Sequence, residues 1–259
     1  MHATIHPTAI VDPKAEIDSE VDIGPFCIIG KGVRIKKGSR LFSHVVVEGS
    51  TEIGEECIIH PFASIGLPPQ DLKYKGENTR LVIGSNNIIR EYVSIHRASV
   101  GGNGITTVGR DNFMMAYVHI AHDCKVGSNV IMANCANIGG HVTIEDFVVI
   151  GGLAGIHQYT RIGKYAMVGG FSRIVQDIPP YMIAFGHDAK LFGPNTIGLK
   201  RHGFDDSEIK SIKKAYKILF REKLTMKDAI KKIHADMPVT DTIMDLIKFI
   251  EKNKRGICR

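Results

Sequence analysis

An aliphatic residue recurs at every sixth position along the first quarter of the chain: Ile5, Val11, Ile17, Ile23, Ile29, Ile35, Leu41, Val47, Ile53, Ile59 and Ile65. The phase is lost over 66–82 and returns at Ile83, Ile89 and Ile95. A second irregular stretch, 97–107, shifts it by one residue. It then runs unbroken from Val108 through Met114, Ile120, Val126, Met132, Ile138, Ile144, Ile150, Ile156, Ile162 and Val168 to Ile174. The fourth residue after each aliphatic is usually small or β-branched, as at Ala9, Ala15, Val21, Cys27 and Val33. The residue immediately after it is often Gly (Gly24, Gly30, Gly54, Gly84, Gly109, Gly127), which points to a turn of unusual φ/ψ. No helix keeps every sixth residue on one face. The pattern predicts short strands joined by turns and wound into a parallel β-helix.

The repeat ends near Pro179-Pro180, and helical patterns take over. Asp205-x-x-Glu208 resembles a capping box ahead of Ile209, Ile212, Tyr216 and Leu219. Thr225-x-x-Asp228 opens a second helix, and a third runs from about Asp241 through Ile250. These patterns divide the chain into a β-helical domain, 1–186, and a C-terminal helical domain, 187–259.

Composition narrows the partners more than the fold. Five Cys in no C-x-x-C arrangement support neither a disulfide framework nor a zinc ribbon, and free thiols suit a reducing, cytoplasmic compartment. Residues 1–9 lack the pattern of a signal peptide, and no apolar run approaches the roughly 20 residues of a membrane span. The net charge of +6 favours an acidic partner without choosing among nucleic acid, membrane, nucleotide and protein.

The repeat resembles that of hexapeptide-repeat proteins, which implies three hexads to a coil in a triangular prism with coils about 4.8 Å apart, so that residues eighteen apart stack on the same part of it. His122, Gly140 and Gln158 form one column, and Asp123, His141 and Tyr159 the next. The patch offers an imidazole base, a carboxylate beside it and a Gly whose N–H can approach a ligand, a set suited to acyl transfer from a thioester. Adjacent strand residues point to opposite faces, so His122 and Asp123 can meet only at a turn. Cys124 occupies the small-residue position of its hexad, which favours packing over nucleophilic catalysis. The stretch 66–82 interrupts the repeat with a polar and aromatic loop of the kind that carries binding function on a rigid scaffold.

Gln70-Asp71-Leu72-Lys73-Tyr74, Ser94-Ile95-His96-Arg97, His119 to Cys124, Gly139-Gly140-His141-Val142 and Gly198-Leu199-Lys200-Arg201 together resemble the UDP-N-acetylglucosamine O-acyltransferase family, over essentially the whole chain. The resemblance implies a left-handed β-helix and a homotrimer with sites between subunits. It implies transfer of an (R)-3-hydroxyacyl chain from acyl carrier protein to the glucosamine 3-hydroxyl of UDP-N-acetylglucosamine, the first step of lipid A synthesis. No metal, other cofactor or nucleic acid is implied, and the acidic carrier suits the positive charge. Carried over by motif, His122 is the general base, Asp123 its partner and Gly140 the oxyanion donor. Gln70, Asp71 and Lys73 contact the sugar nucleotide or acyl group, and His96, His119, His141 and Gln158 line the cleft. Gly170 helps set acyl length, and Asn195 and Arg201 hold the UDP portion. Three positions depart from the family pattern: Ile197 replaces Glu, His202 replaces Arg and Asp188 replaces His.

Three rivals remain at this point. A related N-acyltransferase of the same pathway usually carries an extra N-terminal domain, whereas here the hexads start at Ile5. Acceptance of a 3-amino sugar would give an amide product. A γ-class carbonic anhydrase would recruit His96, His119 and His122 to zinc, but its paired ligands lie five apart rather than three.

Overall fold

The computed structural model describes residues 2–253 and 255–259. Short strands, most of two residues, stack in three sheets of 11, 9 and 8 strands among the described residues, parallel except for the last pair of the first sheet, and form the left-handed β-helix that the family resemblance implies. Register follows the eighteen-residue winding: Ile5 pairs with Ile23, His119 with Asn137, and Asn137 with Gly155. From Ile23 to Ile174 the aliphatic ladders are sealed inside the prism. Each such side chain contributes about 1.5–3 kcal/mol of burial.

The two irregular stretches are insertions into this winding. Ser64 pairs with Ser94, thirty residues on, so 66–82 adds 30 − 18 = 12 residues to a coil. Ser94 pairs with His119, so 97–107 adds 25 − 18 = 7. Both leave the prism at one corner in consecutive coils, the corner that His122 and Asp123 turn in the coil after them.

The hexad glycines act differently from the expectation. Gly24, Gly54 and Gly84 are not the residues with positive φ; the left-handed conformation falls two positions later, on non-glycine residues such as Phe26, Glu56, Asn86, Asp123 and His141. The glycines serve close approach between coils. A Cβ added to Gly84 would lie 2.8 Å from the Gly109 carbonyl oxygen, inside any real contact. A left-handed non-glycine residue costs about 1–2 kcal/mol. At one corner stacked rings offset that cost, with Phe62 and Tyr92 5.0 Å apart and Tyr92 and Tyr117 4.8 Å apart.

Strand Met182–Phe185 continues the first sheet, then turns into an antiparallel hairpin with Lys190–Pro194. The expected boundary at 186/187 falls in its turn. Four helices follow: α1 (Thr196–Arg201), α2 (Asp206–Phe220), α3 (Met226–Asp236) and α4 (Asp241–Glu251). The capping box on α2 is present, with Asp205 accepting from the Ser207 and Glu208 N–H groups and Glu208 accepting from Asp205. Thr225 and Thr240 cap α3 and α4. The hairpin and α1 carry no hexad or helical periodicity long enough to have been read beforehand. The C-terminal tail straps back onto the coil, where buried Asp177 accepts from the Arg161 N–H and from Asn253 Nδ2. No helix among the described residues is long and apolar enough to cross a membrane.

Candidate active site

His122 and Asp123 are the two corner residues of a turn, and φ of +60° at Asp123 swings its side chain round to its neighbour. His122 Nδ1 lies 2.9 Å from Asp123 Oδ2. An ionised carboxylate only accepts, so Nδ1 carries the proton and Nε2 presents its lone pair. The imidazole keeps 16% of its surface exposed while the Asp123 side chain keeps 2%. The carboxylate is held by more than the imidazole. The Ser99 N–H donates to Oδ2 at 2.9 Å, and Thr106 Oγ1 accepts from the Asp123 N–H at 2.8 Å. Oδ1 has no hydrogen-bond partner among the described residues.

Gly140 sits one coil on, against the His122 ring. A Cβ there would lie 2.8 Å from both Cε1 and Nε2, so only Gly lets the free ring nitrogen rest over this stretch of main chain. The Gly140 N–H has no acceptor within the chain among the described residues. A lone-pair nitrogen and an unengaged N–H thus face the same space, the pairing that acyl transfer needs between a base and an oxyanion donor.

Other expected residues surround this pair. His141 lies edge-on to His122 at 5.2 Å and stacks on Tyr159 at 4.4 Å; burial lowers its pKa, with His122 adding to the effect and Asp123 opposing it. His119 shares a 2.7 Å hydrogen bond with Ser94 Oγ and meets His96 edge-on. Burial, reinforced by His119 and His122, pushes the His96 pKa down to about 4, so its ring is neutral at pH 7. Gln158 stands exposed in the column above Gly140. Cys124 points into the prism, and burial pushes its thiol up to about 12, which removes it as a nucleophile at neutral pH.

The 12-residue insertion folds over the same corner. Arg97 donates to the Gly66 carbonyl and, through Nε and Nη2, to the Tyr74 hydroxyl, which donates to the Glu77 carbonyl. Asp71 accepts from Ser99 Oγ at 2.6 Å and from the Lys73 N–H at 3.0 Å. Those two bonds, the Ser99 one first, hold its carboxyl below the usual range. Gln70 and the Lys73 side chain face solvent, and Leu72 at the loop tip is 97% exposed.

Three expected residues lie elsewhere in the chain. Gly170 belongs to the neighbouring corner, in the column of Gly152. Asn195 is buried as the N-cap of α1, accepting from the Gly198 N–H and donating to the Tyr165 carbonyl. Arg201 is exposed in the last turn of α1. Of the departures, His202 packs edge-on against Phe147 and Tyr165, Ile197 is exposed, and Asp188 pairs with Arg173 at 3.0 Å. The sequence reading missed Ser99 and Thr106. Their one signal was membership of the second interruption, since a hydroxyl beside a break in the repeat announces no partner until the coil places it.

An open groove of about 350 Å³, lined by the imidazoles of His119 and His157, runs from Ala121 across Gly139 to Arg173, beside the His122 corner rather than through it. A larger hollow of about 570 Å³ lies between α3, α4 and the tail, but no imidazole lines it. Among the described residues, His122, Asp123 and His141 bring three potential metal ligands within 4.8 Å of one another. That trio differs from the His96, His119 and His122 set of a carbonic anhydrase.

Comparison with known proteins places the chain in a family. Residues 177–258 match the family described as UDP-N-acetylglucosamine O-acyltransferase, domain 2, and residues 105–140 match the bacterial transferase hexapeptide family of six repeats. The chain is 62% identical over 255 residues to the acyl-[acyl-carrier-protein]–UDP-N-acetylglucosamine O-acyltransferase of Thermodesulfovibrio yellowstonii, covering 98% of this chain and 99% of that one. It is 50% identical to the enzyme of the same name from Syntrophobacter fumaroxidans, again over 98% and 99% of the two chains. The crystal structure of LpxA from Acinetobacter baumannii superimposes with a TM-score of 0.96 at 48% identity, over 98% of this chain and 99% of that one.

Proposed function

This chain belongs to the UDP-N-acetylglucosamine O-acyltransferase family, and from that premise we propose that it moves an (R)-3-hydroxyacyl chain from acyl carrier protein to the 3-hydroxyl of UDP-N-acetylglucosamine, the first step of lipid A synthesis. One observation carries the proposal: an imidazole oriented by a buried carboxylate, with its free nitrogen over the main chain of Gly140.

His122 Nε2 takes the proton of the sugar 3-hydroxyl as that oxygen attacks the thioester carbonyl. Asp123 balances the imidazolium that forms. The tetrahedral oxyanion accepts the Gly140 N–H, a role typically worth about 3–4 kcal/mol of barrier. On collapse the carbon–sulfur bond breaks, and His122 returns its proton to the departing thiolate. The neutral imidazoles of His96 and His141 line the approach without competing for that proton. Asp71, with Gln70 and Lys73, receives the sugar.

The working unit is a homotrimer. Support comes from the near-complete exposure of apolar Leu72 and from the placement of Gly170 at another corner and of Asn195 and Arg201 on α1. A neighbour across the groove gives each a substrate to touch. The coil, 1–186, performs the transfer and the helices, 187–259, meet the carrier. The enzyme acts in the cytoplasm, where its free cysteines stay reduced. Mass spectrometry of products from a panel of acyl-carrier thioesters, each offered UDP-N-acetylglucosamine and its 3-amino analogue, tests the reading. The ester is expected. An amide formed in preference would replace it with the 3-amino acceptor, and no acyl-sugar product from any pair would end it.

A further inference from the structure

We propose that Ser99 is a positioning residue that ties the sugar-binding loop to the base dyad, its side chain holding Asp71 and its main chain holding Asp123. The inference rests on the reading of His122 and Asp123 as the base pair and of Asp71 as a sugar contact. Ser99 is fully buried, and both of its polar hydrogens are committed to carboxylates. Its hydroxyl donates to Asp71 Oδ2 at 2.6 Å, a short charge-assisted bond, and its N–H donates to Asp123 Oδ2 at 2.9 Å.

The arrangement explains why the repeat is broken twice at one corner. An unbroken hexad in the coil of Ser94–His96 would turn that corner with two residues, as His122 and Asp123 do in the next coil. The extra seven residues instead fold Ala98–Gly104 back over the dyad. Gly102 presses against the otherwise unpartnered Oδ1 of Asp123 so closely that no side chain fits there. The first insertion brings Asp71 down to the Ser99 hydroxyl. Ser99 therefore fixes the separation between the group that receives the sugar and the group that orients the base.

Ser99→Ala removes the hydroxyl and keeps the N–H, so it should loosen Asp71 and leave the dyad in place. Steady-state kinetics on the full-length enzyme should show the KM for UDP-N-acetylglucosamine rising about tenfold, the loss of one hydrogen bond to a charged group. The kcat and the KM for the acyl carrier thioester should stay within about twofold. In Asp71→Ala the serine has lost its partner, so the double variant should be no worse than Asp71→Ala alone. An unchanged sugar KM in Ser99→Ala, or a sugar-KM effect that adds in full to that of Asp71→Ala, overturns the assignment provided that His122→Ala is inactive in the same assay. An active His122→Ala overturns instead the base-pair reading on which it rests.

Discussion

At the corner that follows strands Ile58–Ile59, Ile88–Ile89 and Phe113–Met114, each coil turns with two residues and carries an aromatic ring in the left-handed position: Phe62, Tyr92 and Tyr117. The rings stack nearly parallel, and the chain passes without interruption. At the next corner, after Ser64–Leu67, Ser94–His96 and His119–Ile120, the first two coils are cut open by insertions and only the third keeps the two-residue turn. The left-handed residue there is Asp123, with the same φ of about +60°. One backbone geometry thus serves as a stacking post at one corner and as the hinge of an acid–base pair at the other. The difference lies in what the preceding coils eject over it.

Four experiments probe this contrast, beginning with the largest effect. His122→Ala should lower kcat by about 10²–10⁴-fold, the usual span for a general base, while circular dichroism and the melting temperature stay near wild type because the ring projects from the ladder. Retained activity would strip this corner of its special status. Gly140→Ala should lower kcat by about 10²-fold, since the new methyl pushes the His122 ring off its place; steady-state kinetics beside a thermal melt would separate that from unfolding.

The third experiment concerns pH. His96 is held neutral by burial, with its pKa lowered from 6.5 to about 4. The unfolded chain binds a proton there before the folded one does, so folding stability should fall as pH drops from about 6.5 to about 4. The full effect is about 3 kcal/mol. His96→Gln should flatten that part of the stability–pH curve measured by denaturant titration, and an unaltered slope would show that the ring titrates freely. The smallest effect belongs to the aromatic corner. Tyr92→Ala breaks two stacked contacts, each worth about 0.5–1.5 kcal/mol, and should lower the melting temperature by a few degrees with kcat unchanged. A large loss of activity there would erase the distinction between the corners.

The hexad spacing by itself determined the period of strand and turn and the aliphatic ladders, and the three-hexad coil of hexapeptide-repeat proteins added the stacking of His122 on Gly140, because a side-chain pattern that repeats every coil leaves the register no freedom. The motifs determined the family, the capping patterns at Asp205 and Thr225 marked two helices, and the apolar spacing from about Asp241 marked a third. Only the folded chain decided that the glycines serve coil contact while Phe62 and Asp123 take the left-handed turns. Likewise, only coil stacking could bring Asp71, Ser99 and Asp123 together, twenty-eight and twenty-four residues apart along the chain. A period of six predicts neighbours within the regular coil. It is silent about a loop that leaves the period, whose contacts are set by where its two ends are anchored in space.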